Sequence, residues 1–114
     1  MATIKEVNDL FRMGFRFVEG KDYAKAELED GVCLVVERLK FGGWRCRAAM
    51  PAMKGKCISG FAAFTAPAPK DAVEGCIMTA LSRLAVKRTS HETEAERLGR
   101  AMGILEGAER KTKE

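Results

Sequence analysis

Two runs rich in branched and aromatic residues, separated by paired glycines, constrain the fold of this chain more than any other feature. Val32-Cys33-Leu34-Val35-Val36 is made of residues that suit pleated backbone. Trp44 to Met50 returns after Lys40-Phe41-Gly42-Gly43, where the glycines can take positive φ. The pair reads as a β-hairpin. Pro51 to Lys56 then reads as a loop and Cys57 to Phe64 as a last strand. Tyr23 to Leu28 alternates weakly and is a possible first strand, closed by the turn signal Glu29-Asp30-Gly31. The expectation is an antiparallel sheet of three to four strands.

Side chains alternate across a strand, so the hairpin loop decides which residues share a face. A loop of two or four residues puts Cys33, Val35, Leu39, Trp44, Cys46, Ala48 and Met50 on one face, the one expected to meet helices. Arg38, Arg45 and Arg47 then share the other face with Val32, Leu34 and Val36. In this register Glu37 falls on the core side, which does not suit a carboxylate.

Helices flank the strands. Thr3-Ile4-Lys5-Glu6 is a capping box, and Ile4, Val7, Phe11, Phe15 and Val18 keep helical spacing, which predicts a helix from Ile4 to Val18 that ends at Gly20. After Thr65-Ala66-Pro67-Ala68-Pro69, the residues Val73, Cys76, Ile77, Ala80, Leu81 and Leu84 form one apolar stripe, predicting a helix to about Val86. Thr89-Ser90-His91-Glu92 reads as a second capping box opening a last helix. Its Gly99, Gly103 and Gly107 recur every fourth residue. Each costs about 1 kcal/mol relative to alanine inside a helix. Such a line either admits close approach by another backbone or marks a frayed tail. The resulting class is α+β, in the order α-β-β-β(-β)-α-α. With 114 residues, one domain over 1–108 and a disordered tail over 109–114 are expected.

Charge is sorted along the chain. From Arg38 to Lys70 there are seven basic residues (Arg38, Lys40, Arg45, Arg47, Lys54, Lys56 and Lys70) and no acid. The preceding stretch holds Glu19, Asp22, Glu27, Glu29 and Asp30 against Lys21 and Lys25. The net charge is +4, which tilts the chain slightly toward polyanionic or acidic partners. No apolar run reaches the length of a membrane span, and the N-terminus lacks a secretory pattern, so a cytoplasmic protein is expected. Cys33, Cys46, Cys57 and Cys76 lie apart among apolar residues, with no Cys-x-x-Cys pair, and are read as core packing. No metal and no cofactor is expected. No phosphate-binding loop, dinucleotide fingerprint or nucleophile elbow is present, and His91 stands alone at a helix start. Glu92, Glu94 and Glu96 alternate along a helix and read as a solvated face. The protein is expected not to be an enzyme.

The candidate binding surface is Arg38, Lys40, Arg45, Arg47, Lys54 and Lys56, with Phe41 and Trp44 interleaved. Arginines pair with phosphates or carboxylates, and aromatic rings can stack on bases. The element order resembles the double-stranded-RNA-binding domain. Where that family carries a basic cluster at the start of its second helix, this chain has Ala68-Pro69-Lys70-Asp71-Ala72, one lysine beside an acid. The layout of Gly60-Phe61-Ala62-Ala63-Phe64-Thr65-Ala66-Pro67, followed by Asp71-Ala72-Val73 and the tail from Thr89, is similar to small phage-encoded accessory proteins of the anti-CRISPR type. That resemblance implies a non-enzymatic inhibitor in the host cytoplasm that sterically blocks a bacterial defence complex, its partner a host protein or ribonucleoprotein. The alternatives are a nucleic-acid-binding domain that uses the same basic residues, and a homodimer or larger homo-oligomer assembled through Gly99, Gly103 and Gly107.

Overall fold

The computed structural model describes residues 3–51, 57–90 and 95–113. Helix α1 (Ile4–Arg12) leads into strands β1 (Arg16–Phe17), β2 (Tyr23–Glu27), β3 (Cys33–Arg38), β4 (Trp44–Pro51) and β5 (Cys57–Ala66). These form one antiparallel sheet in sequence order, a meander. Helices α2 (Pro69–Ser90) and α3 (Ala95–Lys113) follow and pack on the sheet. The α+β class and the element order agree with expectation, and a fifth strand, β1, is added at the edge.

That strand exists because α1 stops early. The Thr3 capping box forms as expected: the Thr3 amide donates to Glu6 Oε1 at 2.9 Å, and the Glu6 amide to Thr3 Oγ1 at 3.1 Å. At the other end Gly14 takes φ 95°, a conformation that costs glycine little. The Phe15 amide bonds to the Leu10 carbonyl and the Gly14 amide to the Phe11 carbonyl. That is the Schellman pattern, and its usual apolar clasp is present, since Leu10 and Phe15 are both buried. The helix therefore ends at Arg12 instead of Val18, and Arg16–Phe17 is released to pair with β2.

One face of the sheet is covered. It carries Ala24 and Ala26, Leu34 and Val36, Trp44, Cys46 and Ala48, and Ala62 and Ala66, all buried. Against it α2 sets Ala72, Val73, Cys76, Ile77, Ala80 and Leu84, the stripe read from the sequence, with Leu81 half-buried. Five of the sheet residues are alanine, so the helix lies close. Gly75 extends this logic: a Cβ there would overlap the ring of Phe64, which packs on the helix from β5. Helix α3 contributes Leu98, Ala101 and Leu105.

The C-terminal region differs from expectation in two ways. Thr89 and Ser90 are still in α2, so they do not cap α3, while His91, Glu92 and Glu94 lie outside the described residues. Helix α3 continues to Lys113, past the boundary expected at 108. Its last turn is held because Thr112 is buried and its hydroxyl donates to the Ala108 carbonyl at 2.8 Å. Among the described residues, nothing approaches the Cβ position of Gly103, and the tip of Arg110 approaches that of Gly107.

Candidate functional site

The β3–β4 hairpin sets the chemistry of both sheet faces. Arg38 pairs with Trp44, Glu37 with Arg45 and Val35 with Arg47, so the loop is 39–43, five residues. The Leu39 amide bonds to the Gly43 carbonyl and the Gly42 amide to the Leu39 carbonyl, with φ at Gly42 and Gly43 of 98° and 84°. An odd loop reverses the expected parity. Leu34 and Val36 face the helices, and Cys33, Val35 and Glu37 face away. Glu37, misplaced by the even-loop reading, belongs with Arg45 and Arg47.

Of the six expected contact residues, the four described do not share one face. Arg45 and Arg47 sit on the uncovered face, in rows with Tyr23, Lys25, Val35, Ala63 and Thr65. Both reach the Glu37 carboxylate, Arg45 at 2.9 Å and Arg47 at 3.7 Å. Such exposed pairs contribute little stability, about 0–1 kcal/mol, but they share out the positive charge. Arg38 lies on the opposite face beside Trp44, and Lys40 is on the exposed loop. Lys54 and Lys56 lie outside the described residues. Glycines 99, 103 and 107 are on α3, where Gly103 and Gly107 line a groove of about 750 Å³ with Glu27, Leu28, Glu29, Arg100 and Ile104.

A different surface stands out at the loop end of the sheet. Of the apolar residues of α1 only Leu10 is buried. Ile4 is 82% exposed and Phe11 61%, with Val7 also exposed between them on the same side of the helix. Phe17 of β1 is exposed beside them, and Phe41, at the hairpin tip, is 97% exposed. Cations lie against two of these rings: the Arg16 guanidinium is 4.1 Å from the Phe11 centroid, and Lys40 Nζ is 6.0 Å from that of Phe41. Helical spacing puts Ile4, Val7 and Phe11 on one stripe of a helix expected to reach Val18, and the stop at Gly14 leaves that stripe exposed.

Between α1 and the hairpin is a pocket of about 460 Å³. It is lined by Val7, Phe17, Leu39 and Trp44, by the cations Lys21, Arg38 and Lys40, and by Asp22 and Gly42. Its floor is fixed by the buried Trp44, whose Nε1 donates to Glu6 Oε2 at 2.7 Å. The capping glutamate thus pins α1 to the sheet. The Thr3 amide it accepts holds its carboxyl below the usual range, helped by Trp44 and by the charge of Arg38.

The cysteines described are structural. Cys46 and Cys76 are fully buried between β4 and α2, and Cys33 is half-buried. The contact with Cys76, together with burial, pushes the Cys46 thiol far up, which keeps it protonated. Among the described residues no cluster of His, Cys, Asp or Glu is arranged to hold a metal ion, and no helix is long and apolar enough to cross a membrane. No family model matches the chain, and no curated protein or solved structure matches it.

Proposed function

We propose that this chain is a non-enzymatic binding protein that occludes a surface of a larger protein assembly, as a phage-encoded inhibitor of a bacterial defence complex would. The contact surface is the outer side of α1 with Phe17 and the hairpin tip. The carrying observation is the exposure of Ile4, Phe11 and Phe41 at one end of the molecule. Large apolar side chains grouped in the open mark interaction sites, and aromatic anchors dominate their energetics. Arg16 and Lys40 lie against two of the rings, so the matching surface is a protein with an apolar ridge and an acidic border.

A nucleic-acid interface on the uncovered sheet face has less support. Arg45 and Arg47 share the Glu37 carboxylate, and Arg38 is on the other side. The two readings separate by mutation. Affinity capture from a bacterial lysate is run with the parent protein, with a Phe11→Ser, Phe41→Ser double variant and with an Arg45→Ala, Arg47→Ala double variant. One protein partner in stoichiometric amount is expected with the parent and the arginine variant and not with the phenylalanine variant. Equal recovery by all three refutes the proposed surface. Nuclease-sensitive capture lost only in the arginine variant establishes the rival.

A further inference from the structure

We infer that the pocket between α1, β1 and the β3–β4 loop binds a small amphipathic anion: a phosphate or carboxylate carried on a flat apolar group. Its volume of about 460 Å³ is within the roughly 300–1,000 Å³ of ordinary ligand sites. The lining divides as such a ligand requires. Val7, Phe17, Leu39 and Trp44 give an apolar bed, and Lys21, Arg38 and Lys40 converge on it with Asp22 as the one acid among the lining residues.

Lys25, Arg45 and Arg47 are engaged in ion pairs on the other sheet face, whereas Arg38 acts on Glu6 through its charge and Lys40 lies over the Phe41 ring. The nearby Glu6 carboxylate is already occupied by the Thr3 amide and the Trp44 indole. Arg38 gives the strongest indication, because the residue lines the pocket and its Nη1 is buried with no acceptor among the described residues. A charged donor left so costs more than a neutral one, and an oxyanion is the acceptor that best offsets that cost. The position is enforced from both sides. Trp44 is held by Glu6, and Arg38 is the last residue of β3, directly opposite Trp44, with its own amide bonded to the Asp22 carbonyl at 3.3 Å.

The pocket shares Val7, Phe17 and Lys40 with the proposed docking surface, so the test is run on the chain alone, with no protein partner present. Trp44 is the only tryptophan, so its emission reports on this site alone. Phenyl phosphate, phenylacetate and inorganic phosphate are each titrated against the full chain. A saturable change with phenyl phosphate or phenylacetate is expected, at least about tenfold tighter than with inorganic phosphate. The tighter of the two aryl probes identifies the acidic group. Arg38→Gln and Lys40→Ala should each weaken binding by about tenfold, the loss of one charge-assisted hydrogen bond. Arg47→Ala and Phe11→Ser, neither of which lines the pocket, should leave it unchanged, so failure of the docking surface does not register here. Lys40 is exposed, so its variant carries the test even where Arg38→Gln disturbs the fold. No saturable change with either aryl probe, inorganic phosphate binding as tightly as the aryl probes, or insensitivity to Lys40→Ala overturns the inference.

Discussion

Replacing Gly75 with alanine should produce opposite effects on stability in two backgrounds. Gly75 lies inside α2, where alanine is favoured over glycine by about 1 kcal/mol. That gain meets an obstacle, since the new Cβ would overlap the Phe64 ring. The ring can stay and strain its surroundings, which for an overpacked site costs about 1–3 kcal/mol. Otherwise it swings outward. Phe64 is already 42% exposed, so that route forfeits only part of the 1.5–3 kcal/mol of a buried phenylalanine, roughly 1–2 kcal/mol. Either route outweighs or cancels the helix term, leaving Gly75→Ala neutral to about 2 kcal/mol destabilising. With Phe64→Ala in place the obstacle is gone, and the same substitution should stabilise by about 1 kcal/mol. The coupling in the double-mutant cycle is then about 1–3 kcal/mol. Urea unfolding of the four proteins, followed by far-ultraviolet circular dichroism, measures it. If Gly75→Ala stabilises the parent as much as it does the Phe64→Ala protein, the helix–ring contact is not where the structure places it.

Other expectations follow from the same geometry. Glu6 has a lowered folded-state pKa, so the stability it contributes is present above its unfolded value and is lost as pH falls through the folded one. Glu6→Gln should therefore flatten the acid limb of a stability-versus-pH curve below about 4.5, the ordinary value, and leave the neutral region's slope unaltered; an unchanged acid limb would contradict the cap-to-indole link. In a Cys33→Ser, Cys57→Ser background, a thiol reagent at pH 8 should label Cys46 and Cys76 only at the rate of unfolding, and rapid labelling of the native protein would show that their burial is wrong. Gly14→Ala should cost about 1–2 kcal/mol in a thermal melt, because an L-residue resists the positive φ there, and a cost-free substitution would remove the helix stop.

Much of the fold was legible because it rests on local chemistry. The capping box at Thr3, the hairpin glycines, Pro69 at the first turn of α2 and the stripe from Val73 to Leu84 are signals that short-range physics imposes, and the structure uses each of them. Two features were hidden by competition between such signals. Helical spacing runs on past Arg12 through Phe15 and Val18, and only the Leu10–Phe15 clasp around Gly14 decides against it. Phe15 keeps its place in the core, but as the residue after a helix and not within one.

The second hidden feature is a single residue of loop length. Leu39, Lys40, Phe41, Gly42 and Gly43 permit closures of different size, and period-two alternation turns one residue of difference into an exchange of faces. Branched residues occupy both faces of β3, so the apolar pattern did not decide the matter. Glu37 did: the even-loop reading sets a carboxylate against the helices, whereas the odd loop sets it within reach of Arg45 and Arg47. The same step carries Arg38 away from its fellow arginines to the Trp44 side, where a buried guanidinium nitrogen lacks an acceptor among the described residues. What reads in one dimension as a single basic surface is therefore two environments, one in which Arg45 and Arg47 share the Glu37 carboxylate and one in which Arg38 stands beside Trp44. Adding or removing one loop residue while β4 keeps its faces would turn Glu37 to the covered side, where an unpaired carboxylate is costly, so the five-residue closure suits this sequence.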